Sequence, residues 1–114
     1  MSTADITLKK GLKVGEVVHT AAVIREATGG DFIEATEEAE RLCLTPEGNY
    51  ILVASPALVG INTLRRQIVK IGDHVGPLTL KEMKLLSGQD IKLLQEAAEN
   101  LENASMEEVA KRGG

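Results

Sequence analysis

The chain has 114 residues, with 17 acidic and 13 basic side chains and a formal charge of −4. That balance argues against a general nucleic-acid binder, which needs a basic surface to neutralise phosphates, but it leaves room for a local basic face. A single Cys rules out an internal disulfide framework and fits a reducing compartment, and no apolar run reaches the roughly 18–20 residues of a spanning helix.

The length fits one domain over residues 1–114. With one Phe, one Tyr and no Trp, its core must be aliphatic. The N-terminus, Met1–Lys10, lacks the basic-then-apolar order of a signal peptide. Residues 1–4 read as a loose tip. From Asp5 the pattern alternates, with Ile6 and Leu8 on one face and Thr7 and Lys9 on the other. Gly11 interrupts it as a bulge would, and Leu12 and Val14 resume it. Gly15 makes a tight turn into Val17–Ile24, so residues 5–26 are expected to form a β-hairpin. A lone hairpin is marginal in water, so its apolar face must pack on the helices that follow.

Gly29 and Gly30 mark the exit from that hairpin, and Thr28 or Asp31 can cap a helix over 31–44. Phe32, Ala35, Ala39, Leu42 and Cys43 share its stripe, with Glu34, Glu37, Glu38 and Glu40 mostly elsewhere. Thr45–Asn49 is a loop, and Tyr50–Ala54 is an apolar piece that fits either a helical turn or an extended segment. Ser55 followed by Pro56 starts a helix over 56–71, with Leu58, Ile61, Leu64, Ile68 and Ile71 on one face and Gly72 as its stop. Gly76-Pro77 is a turn. Thr79 and Glu82 have capping-box spacing and open a short helix over 79–87. Ser87-Gly88 separates it from a helix over 89–103, whose stripe is Ile91, Leu94, Ala98 and Leu101. Residues 104–114 are polar and small and read as a flexible tail. The expected fold is α+β, an N-terminal β-hairpin followed by a small bundle of about four α-helices.

Catalytic chemistry finds no support in these residues. Gly29-Gly30-Asp31 before a helix could cradle an anion, yet it lacks the Lys-Ser/Thr of a phosphate loop and serves more simply as a strand-to-helix turn. His19 and His74 stand apart, and no Cys or His pair has metal-ligand spacing. Cys43, on the apolar side of its expected helix, reads as a buried thiol. The glutamates at 37, 38 and 40 read as a solvated face. No catalytic residue, cofactor or metal is therefore expected. Two helices meeting at Ser87-Gly88 also resemble a helix-turn-helix, with Lys81, Lys84 and Lys92 nearby. The second helix, however, carries Asp90, Glu96, Glu99 and Glu102, which a recognition helix would hold close to phosphates.

The order of several short motifs is more specific. Ile6–Lys10, Ile24–Asp31, Arg65–Gly72, Gly76–Thr79, Leu86–Asp90 and Leu94–Ala97 together resemble the tail assembly chaperones of Mu-like and other contractile-tailed phages. The similarity spans roughly residues 5–103. Gly11 and Ala27 stand where that family usually has Pro, which alters turn stiffness more than membership. The resemblance implies a non-enzymatic chaperone that binds the tape-measure protein, a long helical chain, and keeps it soluble until the tail tube polymerises. It implies a protein of the host bacterial cytoplasm, absent from the mature virion, with homo-oligomers and a longer frameshifted form of itself as further partners. The Arg112–Gly114 ending is compatible with a slippery run of G codons. No nucleic acid or membrane partner is implied. The alternatives are a small helix-turn-helix DNA-binding regulator and a structural tail or baseplate component. Val59, Val69, Leu85 and Leu93 lie off the main stripes and are the candidate partner-binding residues.

Overall fold

The computed structural model describes residues 2–113. The first two strands, β1 (Thr3–Val14) and β2 (Val17–Arg25), form the expected antiparallel hairpin. Its register slips between Thr7, opposite Ala21, and Leu12, opposite His19. Gly11 sits in that irregularity at φ 76°, where a Cβ would lie 2.3 Å from the carbonyl oxygen of His19. Glycine is therefore required there both by conformation and by space.

The chain continues through α1 (Gly29–Ala39), β3 (Glu40–Leu44), β4 (Tyr50–Ala54) and α2 (Pro56–Gln67). It then adds β5 (Ile68–Ile71), β6 (His74–Val75), α3 (Leu80–Met83) and α4 (Gly88–Gly113). One antiparallel sheet has the order β1-β2-β5-β6, and β3 pairs with β4 in a separate hairpin. The fold is thus α+β with an N-terminal hairpin and, among the described residues, four helices. These do not make a bundle. The N-terminal half of α4 lies across β1 and β2, while α1 packs beside α2. Leu8, Leu12, Ala22, Ile24, Ile68 and Ile71 from the sheet meet Leu64, Leu78, Met83, Leu86, Leu94 and Leu101 in the aliphatic core.

Four element boundaries differ from the sequence pattern. The helix expected over 31–44 ends at Ala39, and the next five residues are strand. Cys43 is consequently exposed, not buried on a helix face. The helix expected over 56–71 ends at Gln67, and Gly72-Asp73 is a hairpin turn, not a helix stop. Ile24 pairs with Ile68 and Val23 with Lys70, so Val69 bulges out and both Ile68 and Ile71 reach the core. The helix expected over 79–87 is one turn long, and the one expected over 89–103 runs to Gly113. Most of the expected 104–114 tail is therefore helical, built from good helix formers such as Glu, Ala and Lys. Gly114 lies outside the described residues.

Candidate functional site

Three charged tethers hold the helices in place, and each uses residues of the motifs noted above. At α1, Thr28 and Asp31 form a reciprocal capping box. The Asp31 carboxylate also accepts two bonds from the Arg25 guanidinium, at 2.6 and 3.0 Å. Arg25 in turn donates to the carbonyl of Arg66 at 2.8 Å, and Gln67 donates back to the carbonyl of Arg25 at 3.0 Å. At this turn the Thr28 amide donates to the Asp31 carboxylate, as a strand-to-helix cap requires. The Arg25 bonds hold the Asp31 carboxyl at about 2, against the upward pull of burial.

That depressed value makes a prediction. A carboxylate with its folded value below its unfolded one contributes stability above the unfolded value and loses it as pH falls through the folded value. Between about pH 4 and pH 2 the chain should lose about 2 kcal/mol from this group alone. Denaturant titration of the wild type and Asp31→Asn on either side of that window checks it. The variant should be weaker at neutral pH and lose less on acidification.

The second tether clamps α1 to α2, with Glu38 between Arg65 and Arg66 and held below the usual carboxylate range by both. The third is Asp90. Fully buried in the first turn of α4, it accepts amide bonds from Lys9, Lys10 and Gly11 at 2.6, 3.0 and 2.9 Å. Its own amide donates to the cap oxygen of Ser87 at 3.1 Å. Burial pulls the Asp90 carboxyl up, but these donors win and hold it below its ordinary value. This arrangement turns the N-terminal end of α4 into the β1 bulge and weakens the helix-turn-helix alternative.

Between the α1–α2 pair and α4 the tethers leave an open groove. One part of it measures about 750 Å³ and is lined by Phe32, Thr36, Val59, Gly60, Thr63, Gln95 and Ala98. The adjoining part measures about 410 Å³ and adds Glu26, Ser105 and Met106. Glu99 and Glu102 line both. Phe32 is 59% exposed although it is the one Phe of the chain. The small residues Gly60, Thr63 and Ala98 permit close approach of another backbone. The surface suits an amphipathic helix laid on it, with apolar anchors at helical spacing and cationic groups toward the two glutamates.

The four candidate contact residues do not come together. Val59 lines the groove. Val69 is exposed at the β5 bulge, Leu85 is exposed between α3 and α4, and Leu93 is half-buried on α4. Phe32, Gly60 and Ala98 line the groove without a sequence signal for contact: Phe32 and Ala98 share helical stripes with core residues, and Gly60 has no side chain to mark a face. His74 lies against Glu82, and Glu82 is also the acidic partner in the Thr79 capping box. Among the described residues, no three His, Cys, Asp or Glu gather as they would around a metal ion. No helix among them is long and apolar enough to cross a membrane.

The family model for tail assembly protein gp41 matches residues 8–114. The Mu-like prophage FluMu protein gp41 of Haemophilus influenzae is 39% identical over 108 residues, covering 95% of this chain and 85% of that protein. The probable tail assembly protein FS-gp41 of Escherichia phage Mu is 37% identical over 114 residues, and the chain spans 60% of its length. The probable tail assembly protein gp41 of the same phage is 39% identical over 98 residues, covering 82% of this chain and 67% of that one. No solved structure matches. The chain belongs to the gp41 family of Mu-like phage tail assembly proteins, a family of assembly proteins and not of enzymes.

Proposed function

We propose that the chain is a tail assembly chaperone that binds helical segments of the tape-measure protein and keeps them soluble. The supporting observation is the groove, where exposed Phe32 and half-buried Val59 lie outside the aliphatic core and half-buried Ala98 packs on the core's edge while still lining the groove. A long helix with an uncovered apolar stripe aggregates, and a small subunit that covers one stretch of stripe prevents contact with the next helix. On this reading the work is done in the host cytoplasm, without cofactor or catalysis, and the chaperone is absent from the mature virion. A longer frameshifted form carries the same groove. Val69, Leu85 and Leu93 supply secondary contacts as further copies line the same helix.

Tiled fragments of the tape-measure protein, measured by fluorescence anisotropy against the purified chain, test the reading. Fragments with an apolar stripe should bind in the micromolar range, and uniformly polar ones should not. Absence of binding by every striped fragment would sink it. Retention of duplex DNA at low salt would favour the regulator instead.

A further inference from the structure

We infer that β3 and β4 form a dimerisation arm, whose occupant is the same arm of a second copy of this chain. The two strands leave the ends of the packed α1–α2 pair and make a two-stranded hairpin of their own. Residues 41–44 and 50–53 are all exposed. The radius of gyration, 16.5 Å, exceeds the ~13 Å of a compact domain of about 100 residues, as outlying elements require.

The strand pairing places Leu42 opposite Leu52 and Leu44 opposite Tyr50 on one face. These four are 65, 66, 63 and 67% exposed, an uncharged patch with nothing over it among the described residues. An isolated two-stranded hairpin is marginal in water, and large apolar patches on a free surface mark interaction sites. A run such as Tyr50–Ala54, apolar at every position, has the composition of a strand inside a packed sheet.

Area and charge select the occupant. The exposed fractions of these four residues set an upper bound of about 1,100 Å² on what two arms stacked face to face about a two-fold axis bury, on the order of the ~1,000 Å² a specific interface needs. The patch holds no charge to repel its copy. Of the arm's charges, Arg41 lies on the opposite face and Glu47 at the tip, while Glu40 shares the patch's face at its base, beside Leu42. Two such hairpins at the usual ~10 Å spacing form a small sandwich with Leu and Tyr as its core.

Sedimentation equilibrium on the full chain tests the assignment. The wild type should be dimeric, and Leu52→Asp should raise the dimer dissociation constant about 100-fold or more, as loss of a central apolar anchor in both copies requires. None of the four residues belongs to the buried core, so circular dichroism and the melting temperature of the monomer should hold. Leu44→Asp, nearer the tip, gives a second variant with the same expected outcome. Carboxymethylation of Cys43, which pairs with Ile51 on the opposite face of the hairpin, should leave the dimer intact. A monomeric wild type, dimers unaffected by either Asp variant, or loss of the dimer on Cys43 modification would each overturn the assignment. Substitution in the α1–α2–α4 groove should not alter the dimer, so failure of the arm and failure of the chaperone reading are separable.

Discussion

Replacing Asp90 by Ala should destabilise the chain by about 3 kcal/mol, with a fall in melting temperature of ~15 °C. The residue is fully buried, and its carboxylate is the shared acceptor for three successive backbone amides in the β1 bulge. Truncation leaves those donors without a partner where Gly11 holds the backbone against His19. Each buried orphan donor costs on the order of 1–3 kcal/mol, less where water can reach it. Asp90→Asn should recover part of the loss, since one amide oxygen still accepts while its NH₂ group faces another donor. Asp73→Ala, at an exposed turn position, serves as the neutral control. Urea titration of the three variants decides the point, and a loss below ~1 kcal/mol for Asp90→Ala would remove the tether from the account of the fold.

Gly60→Glu should leave the chain at least as stable as the wild type and still weaken tape-measure binding by about 30-fold or more. Gly60 lies inside α2, where glycine costs ~0.5–1 kcal/mol relative to better helix formers. A Cβ there meets nothing within 4 Å, so substitution disturbs no packing. The same position lines the groove, and a carboxylate there must be desolvated by any apolar helix that docks. Gly60→Ala keeps the gain in helix propensity without the charge and should bind normally. Few substitutions separate stability from binding so cleanly. Equal binding by Gly60→Glu and Gly60→Ala would place the tape-measure contact elsewhere.

The legible parts of the fold were those with a local physical signature. The β1–β2 alternation, the Gly11 bulge, the Thr79–Glu82 capping box and the Ser55-Pro56 helix start all appear as read. The misread parts have specific causes. Leu64, Ile68 and Ile71 have helical spacing, but the bulge at Val69 gives a strand the same burial rhythm. Leu42 and Cys43 continue the stripe of α1, and apolar residues on both faces of the β3–β4 hairpin erase the alternation that would have marked it. Four of the six motifs that carried the family resemblance hold tether residues: Arg25 with Asp31 and Asp90 with the Lys9 and Lys10 amides join strands to helices, and Arg65 and Arg66 with Glu38 join two helices. The groove was not legible because its walls come from three helices distant in sequence, and two of its lining residues, Phe32 and Ala98, share helical stripes with core residues.

The most direct measurement is the soluble fraction of the tape-measure protein expressed alone, with this chain, and with its Gly60→Glu variant. The expected result is insoluble, soluble and insoluble, with the protein co-purifying only with the wild-type chain. A tape-measure protein that is equally soluble in all three, or that the variant rescues as well as the wild type, would contradict the chaperone role of the groove.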